Sequence, residues 1–264
     1  MHAVQQTSCP VCGAAEAHVF LKETNVSCSD YFEGIRLYND DIGDTALVKC
    51  TVCGFARFRD MHAWTPEIFR ERIYNKDYHL CDPPFEEERP ARLARWLAPL
   101  CEGQRLIDYG GGEGRTAALL RDQEIDAVAF DPFYSGESLP DWRADIVTAF
   151  EVVEHVPAQR ALFSTLLDLL APGGVVVFST LLQPETLAPD WWYASPRNGH
   201  VSFHTEASLA RTLCDAGAEL LSLSDEIHVA ARDGGALARW RGADPVAVSG
   251  VPDHAFVREW AELA

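Results

Sequence analysis

From about residue 105 onward, short apolar runs alternate with segments whose apolar residues recur at helical spacing, and these two patterns predict strands and helices. The predicted strands are RLIDYG, DAVAFD, DIVTAFE, VVVFST, ELLSLSDE and IHVAARD, and the predicted helices are RTAALLRDQE, PAQRALFSTLLDLL and EASLARTLCDAGA. Such alternation is typical of a mostly parallel sheet with helices on both faces. Pro172-Gly173-Gly174 should end the second helix, and Thr205 with Ser208 at N3 forms a capping box before the third.

The segment between residue 60 and this alternation carries a second helical pattern. Residues 66–80 are predicted to be helical with a loose end, and Pro83-Pro84 breaks that helix. Residues 85–99 again show helical spacing. We expect this segment to pack over the mouth of the sheet domain.

Charge and apolar run length narrow the function classes. The chain has 264 residues and a formal net charge of −18, which disfavours a polyanionic partner, so no nucleic-acid partner is expected. No apolar run reaches the length of a membrane span, and the first residues lack the signal-peptide pattern. We therefore expect a cytoplasmic protein, without a membrane partner, that acts on a small molecule.

Two near-identical cysteine turns stand close to the start of the chain. Cys9-Pro-Val-Cys12-Gly and Cys50-Thr-Val-Cys53-Gly supply four thiolates, the ligand set of a structural zinc ribbon. A strand pair over residues 16–22 and 45–49 would fit between them. Four free cysteines, or Cys28 as a substitute ligand, are the alternatives.

A glycine-rich turn, GGGEG, follows the first predicted strand. Gly110, Gly111 and Gly112 would let a ligand approach the main chain where the strand hands over to a helix. Asp131 ends the next strand, about twenty residues on, where a carboxylate can bind ribose hydroxyls. Because Asp108 and Glu113 are acidic, a ligand with a cationic end and no phosphate suits this turn better than a dinucleotide. S-adenosylmethionine has those properties.

With LIDYGGGEG, AFDP, ADIVTAFEVVEHV and LLAPGGVVVFST in place, residues 95–232 resemble the class I S-adenosylmethionine-dependent methyltransferases. WWYASPRNGHVSFHTEASL is similar to the ubiquinone-methylase-like subgroup, which tends to carry paired cysteine turns ahead of the core. The resemblance implies an α/β fold: a Rossmann-like methyltransferase sheet with a shortened edge, plus a small N-terminal zinc ribbon. The third strand should be missing, because only about fourteen residues separate Asp131 from Asp145.

The expected organisation has four parts. A zinc-ribbon-like module spans 1–60, a helical linker or lid 61–100, and the S-adenosylmethionine-binding core 101–232. A C-terminal extension, 233–264, would be a short helix and loop on the core or a homodimer contact.

The resemblance also assigns cofactor contacts. Asp108, Gly110 and Gly112 would hold the methionine portion, and Asp131 would bind the ribose. In the absence of the usual acidic adenine contact, apolar residues would wall the adenine: Phe130, Pro132, Phe133 and Tyr134. Phe150 and Glu151 would border the cofactor and the transferred methyl group, although Glu151 and Glu154 also suit an ordinary helix N-terminus.

Acceptor chemistry needs a base only if the acceptor loses a proton during attack. His155 and His200 are the catalytic candidates. The acceptor-binding candidates are Tyr74, Tyr78, Trp192, Tyr193, Arg197 and His204. For each histidine, satisfaction of a local backbone group is the alternative; the aromatic residues could anchor a loop in the core, and Arg197 could be a surface charge.

The leading interpretation is C- or O-methylation of a small molecule, such as a secondary metabolite. Alternatives are methylation of RNA or protein, cofactor binding without catalysis in a regulatory or scaffold role, and cleavage or cyclisation of the sulfonium.

Overall fold

The computed structural model describes residues 8–32, 38, 42–81, 88–133, 138–246 and 248. Within them the strands are β1 (Glu16–Glu23), β2 (Asp44–Cys50), β3 (Ala56–Phe58), β4 (Arg105–Tyr109), β5 (Asp126–Phe130), β6 (Ala144–Ala149), β7 (Leu170–Ser179), β8 (Ser202–Phe203), β9 (Glu219–Ser222) and β10 (Ile227–Ala231). The α-helices are α1 (Cys28–Phe32), α2 (Pro66–Arg72), α3 (Glu88–Leu97), α4 (Arg115–Arg121), α5 (Gln159–Asp168) and α6 (Glu206–Asp215).

The larger sheet has six strands in the order β5-β4-β6-β7-β10-β9. Strands β5, β4, β6 and β7 pair in parallel, whereas β10 pairs antiparallel with both β7 and β9. The last two strands thus form the predicted reversed hairpin. Residues of β6 and β7 are buried, as expected for parallel strands covered on both faces.

Strand β5 lies at one edge of this sheet. Between β5 and β6, the described residues 131–133 and 138–143 contain no strand, so the shortened edge is confirmed. Tyr134 lies outside the described residues. The chain leaves β4 toward β5 on one side and returns to β6 on the other, so the order reverses at β4. A ligand crevice is expected beyond the carboxyl end of β4.

Two apolar layers cover the sheet. Helices α3 and α4 contribute Leu93, Leu97 and Leu120 to one layer, to which Trp240 also belongs. Helices α5 and α6 contribute to the other layer, which is centred on Phe163. The capping box predicted for α6 is present, with Ser208 N–H donating to Thr205 Oγ1.

The expected end of α5 is wrong by several residues. Helix α5 ends at Asp168, and β7 already begins at Leu170 and continues through Pro172-Gly173-Gly174. A Cβ on Gly174 would lie 2.9 Å from the carbonyl oxygen of Asp145. The glycine therefore lets β7 approach β6 at an irregularity of the register between Ala144 and Ile146.

The smaller sheet has four strands in the order β1-β2-β3-β8. The predicted strand pair corresponds to β1 and β2, which are antiparallel. Strand β8 comes from the segment between β7 and α6, and it pairs antiparallel with β3. The N-terminal part and the methyltransferase-like core therefore share one sheet and, around Phe58 and Phe203, one apolar cluster.

The predicted helices upstream of the core are shorter than expected. Helix α2 ends at Arg72, and a 3₁₀ turn follows at Tyr78–Leu80. Helix α3 spans Glu88–Leu97, and residues 83–87 lie outside the described part. The C-terminal extension is described as far as residue 246 and at Val248, and it forms a 3₁₀ helix at Gly234–Trp240. Among the described residues, no helix has the length and apolar character needed to cross a bilayer.

Candidate active site

A cavity of about 1150 Å³ opens beyond the carboxyl ends of β4 and β6. Its lower end is lined by the glycine turn and the residues that follow β5 and β6. Its upper end is lined by residues from α1, α2 and the segment between β7 and α6. The structure thus places most of the predicted cofactor and acceptor residues around one space.

The glycine turn closes tightly at the carboxyl end of β4. Gly110 has φ +76°, and an added Cβ would lie 2.4 Å from Cγ2 of Val152. An added Cβ on Gly111 would lie 2.5 Å from Oδ2 of Asp108. Side chains are therefore excluded at these positions, and the main chain forms the cavity wall.

Two carboxylates flank this turn. Asp131 accepts hydrogen bonds from Gly112 N–H (3.0 Å) and Phe133 N–H (2.8 Å), which fixes its position beside the turn. Asp108 accepts one from Thr148 Oγ1 at 2.7 Å. Burial raises the pKa of Asp108 to about 6, and neighbouring Asp131 adds to this while Thr148 opposes it. A cationic ligand group would restore full ionisation of this pair.

Glu151 follows β6 in a strained conformation. Its φ is +54°, which is uncommon for a residue other than glycine. The conformation is held by Ser179, whose Oγ accepts from Glu151 N–H at 2.7 Å and lies 3.1 Å from Oε1. Arg89 of α3 lies 3.9 Å from Oε2. Phe150 precedes Glu151 and packs against Trp96. Both Phe150 and Glu151 line the cavity.

His155 and His200 meet at the opposite end of the cavity. Their ring centroids are 4.9 Å apart with an edge-on arrangement. His200 Nδ1 lies 2.7 Å from the carbonyl oxygen of Tyr193. Since a carbonyl can only accept, Nδ1 carries the proton and Nε2 is the basic nitrogen of the neutral ring.

His155 links this pair to two further groups. Its Nδ1 lies 3.1 Å from the hydroxyl of Tyr74, and its Nε2 lies 3.8 Å from Oε1 of Glu154. Burial lowers the pKa of His155 well below 6.5, and the neighbouring His200 adds to this effect. His155 is therefore neutral at neutral pH.

Glu154 is fully buried, and neither of its carboxylate oxygens accepts a hydrogen bond from the described residues at ordinary distance. Burial raises its pKa well above the usual value, as does nearby Glu151, while Tyr193 and Arg89 oppose the shift. One ligand atom from each of Glu154, His155 and His200 lies within 4.8 Å of the others. This cluster could hold a divalent metal ion.

Aromatic side chains dominate the upper end of the cavity. Tyr74, Tyr78 and Trp192 line it, as expected for acceptor-binding residues, together with Phe133. The sequence did not single out the other side chains of this wall, which are Cys28, Phe32, Trp64, Phe69, Arg70 and Asn198. The aromatic composition of residues 55–64 was the available signal, but it carries no information on which face of the segment each ring occupies.

Three residues expected to bind the acceptor do not line the cavity. Tyr193 is buried in the core, and its hydroxyl accepts from Leu181 N–H. Arg197 donates to Ile73 O and Asn75 Oδ1. His204 is buried between Ser208 Oγ and Gln159 Oε1. All three belong to the framework behind the cavity, because their polar groups are engaged by other parts of the chain.

Buried histidines outside the cavity make stability depend on pH. Burial lowers the pKa of His62 to about 3, of His204 to about 3 and of His228 to about 4. An unfolded histidine titrates near 6.5, so below that pH the unfolded chain binds more protons and stability falls as pH falls. Between pH 7 and pH 5, each ring should cost about 2 kcal/mol.

Asp108 and Glu154 act in the opposite sense, because their raised pKa values make the folded chain bind protons more tightly. The Asp108 contribution is about 1 kcal/mol over the same range. We expect a net loss of a few kcal/mol between pH 7 and pH 5, measured as a lower urea midpoint at pH 5. An unchanged or higher midpoint at pH 5 would contradict this assignment of buried neutral imidazoles.

The four predicted metal-ligating cysteines converge in the N-terminal part. Cys9 Sγ lies 3.6 Å from Cys53 Sγ, Cys12 Sγ lies 3.4 Å from Cys50 Sγ, and all four sulfurs are within 4.8 Å of one another. Tetrahedral zinc with bonds of about 2.3 Å places its sulfur ligands about 3.8 Å apart. The sulfur positions therefore fit a zinc ion.

The environment of these sulfurs also suits thiolate ligands. Cys50 Sγ accepts N–H bonds from Val52 and Cys53, each at 3.4 Å. Burial acts to raise the pKa of Cys50, but these bonds prevail and lower it to about 7. Cys28 lies elsewhere, on the cavity wall with its amide on Asn198 Oδ1, and it is not in the cluster.

Residues 85–223, more than half of the chain, match the family model described as "Methyltransferase domain". The chain therefore belongs to this methyltransferase family. Together with the sheet topology and the glycine turn, this defines an S-adenosylmethionine-dependent methyltransferase.

Named relatives agree with this class. The ubiquinone biosynthesis O-methyltransferase of Thiobacillus denitrificans is 30% identical over 178 residues, which cover 53% of this chain and 76% of that protein. An uncharacterized methyltransferase of Mycobacterium bovis is 30% identical over 138 residues, 38% of this chain and about half (54%) of that protein. Among solved structures, the Burkholderia thailandensis 1,6-didemethyltoxoflavin-N1-methyltransferase has 17% identity and a TM-score of 0.49, covering 73% of this chain and 96% of that chain. The last likeness is too low to carry an argument.

Proposed function

We propose that this methyltransferase transfers a methyl group to a hydroxyl oxygen of a small, flat acceptor. The observation that carries the proposal is the arrangement of the single cavity: the glycine turn lies at one end, and an aromatic wall with two histidines lies at the other. Drug-sized ligands occupy pockets of about 300–1,000 Å³. A cavity of about 1150 Å³ accommodates a cofactor and a small acceptor side by side.

S-adenosylmethionine would be held by residues of the lower end. Asp108 and Gly110–Gly112 suit its cationic methionine portion, and Asp131 suits the ribose hydroxyls. Pro132, Phe133 and Phe150 provide apolar contact for the adenine and the methyl region, and Glu151 borders the latter. When bound, the cofactor supplies an electrophilic methyl group on a sulfonium.

The upper end would bind and deprotonate the acceptor. Tyr74, Tyr78 and Trp192 can pack against a flat ring and exclude water from it. His200 Nε2 accepts the acceptor's hydroxyl proton, because Nδ1 is committed to Tyr193 O. His155 orients the acceptor beside His200, and its own position is set by Tyr74 and Glu154.

A divalent cation held by Glu154, His155 and His200 is the second way to lower the hydroxyl pKa at this place. The two routes differ in their response to chelators. With imidazole alone as base, EDTA treatment leaves turnover unchanged; with a metal, EDTA abolishes turnover and Mg²⁺ or Mn²⁺ restores it.

Zinc would be held by Cys9, Cys12, Cys50 and Cys53. With four protein ligands the site has no open position for a substrate, so we assign it a structural role.

The test is a turnover assay with S-adenosylmethionine labelled in the methyl group and a panel of hydroxylated aromatic acids, phenols and quinols. We expect label in an organic product and equimolar S-adenosylhomocysteine. Cofactor binding without consumption would instead indicate a regulatory role. Consumption with loss of the label as methylthioadenosine would indicate sulfonium cleavage, and label only in added RNA or protein would indicate a macromolecular acceptor. Each of these three results would refute the proposal.

A further inference from the structure

The cysteine module, defined here as Cys9–Cys12 together with Cys50–Phe55, is bonded directly to the helices behind the active site. Arg160 of α5 donates to Val11 O from Nη2 (2.6 Å) and also pairs with Asp215 of α6. Thr205, the N-cap of α6, donates from Oγ1 to Cys53 O at 2.9 Å. Gln183 Nε2 donates to Gly54 O at 2.8 Å. The module is therefore fixed to the core on several sides.

A chain of buried hydrogen bonds continues from this attachment to the acceptor end of the cavity. Ser208, which completes the capping box with Thr205, lies 3.0 Å from His204 Nδ1. His204 Nε2 lies 3.0 Å from Gln159 Oε1. Gln159 then donates from Nε2 to the carbonyl oxygens of Val153 and Val156. Those two carbonyls bracket Glu154 and His155, so the amide of Gln159 sets the conformation of the turn that carries them.

A second connection reaches His200. The ring of Phe55 packs on the ring of His204 with centroids 4.9 Å apart. Phe58 N–H, on the strand that follows the module, donates to Val201 O at 3.1 Å, and Val201 N–H donates to Glu154 O at 2.7 Å. His200 is thus adjacent to a residue that is bonded both to β3 and to the Glu154 turn.

The cofactor end is built from other contacts. Asp108 is bonded to Thr148, and Asp131 to Gly112 and Phe133, all on β4, β5, β6 or the loops that follow them. Displacement of the Val153–Val156 turn would therefore alter the acceptor end while these bonds stay in place.

We propose that Gln159 and His204 are positioning residues through which the cysteine module holds the two active-site histidines in place, so that the module controls acceptor turnover and not cofactor affinity. The proposal rests on the proposed function for its catalytic meaning, but the coupling itself concerns the geometry of residues 153–156 and 199–203. It requires neither His204 nor Gln159 to touch a substrate. It also explains why a buried histidine and a buried glutamine, rather than apolar residues, occupy the space behind the turn.

The test uses His204→Phe and Gln159→Leu in the full-length, metal-loaded protein. Each replacement fills the space but removes the bonds to the turn. We expect kcat to fall about 10- to 100-fold, the size of effect produced by misplaced catalytic groups, with the dissociation constant for S-adenosylhomocysteine changed less than about 2-fold. His204→Gln, which can still donate to Gln159, should recover most of kcat. His228→Phe is the matched control, a buried histidine on β10 bonded to Ser222 and Thr180, and it should leave kcat unchanged.

A second readout is independent of turnover. Hydrogen–deuterium exchange should rise in peptides covering 150–158 and 198–204, both in His204→Phe and in wild-type protein stripped of metal by a chelator. Exchange over 105–133 should stay unchanged in both. If the wild type methylates none of the acceptors, the proposed function fails while this exchange pattern still decides the coupling. Uniform protection in all peptides, or equal loosening of 105–133, would overturn the proposal, as would equal losses of cofactor affinity and kcat in the His204→Phe variant.

Discussion

His200→Gln is expected to lower kcat by about 10²- to 10⁴-fold, the usual contribution of a positioned general base. Glutamine can still donate from its amide to Tyr193 O, which His200 contacts at 2.7 Å. It cannot accept a proton at neutral pH, so the chemical step should suffer while the fold is retained. S-adenosylhomocysteine should bind with unchanged affinity, because its predicted contacts lie at the other end of the cavity.

The measurement is the steady-state rate with a saturating acceptor, combined with calorimetry for S-adenosylhomocysteine. His228→Gln is the matched control, since His228 is equally buried but does not line the cavity. A variant His200→Gln that keeps wild-type kcat would remove this residue from the chemistry. Equal losses in kcat and in cofactor affinity would indicate a structural role instead.

Serine in place of both Cys50 and Cys53 should cause the largest loss of stability. Structural zinc sites of this ligand type bind with apparent free energies of about 10–16 kcal/mol, which is comparable to the whole stability of a domain, about 5–15 kcal/mol. The cluster supports Phe55 and the start of β3, and it is bonded to α5 and α6. Its loss should therefore destabilise the shared sheet as well as the cysteine turns.

Metal analysis and thermal unfolding test this expectation. The wild type should contain one zinc per chain, and the double variant should contain none and unfold at a much lower temperature. Cys214→Ser is the control, because Cys214 is an exposed thiol on α6 and lies outside the cluster. A double variant that retains the wild-type melting temperature would show that the four cysteines hold no structural metal.

Features fixed by local chemistry were predictable from the sequence. The sheet strands follow from continuous apolar runs, the start of α6 follows from the Thr205 capping box, and the glycine turn follows from residues that exclude side chains. The cysteine cluster follows from two turns that each present two sulfurs, whatever the length of chain between them.

Features set by tertiary packing were not predictable in this way. His200 and His204 look alike in sequence, yet one ring faces the cavity and the other is held between Ser208 and Gln159. Arg197 was expected to bind an acceptor anion, but carbonyl and amide oxygens from the segment after α2 engage its guanidinium. Strand β8 has only two residues, and its pairing with β3 joins segments about 145 residues apart, which no local pattern reports.

The central claim is that the glycine turn and Asp131 together bind an adenosyl sulfonium, and calorimetry of the full chain tests it most directly. S-adenosylmethionine and S-adenosylhomocysteine should each bind one per chain, and Asp131→Asn should weaken both while Asp126→Asn, an exposed change at the start of the same strand, leaves them unaffected. NAD⁺ and ATP should produce no binding heat. Binding of a phosphorylated nucleotide together with no heat from either sulfur compound would contradict the account.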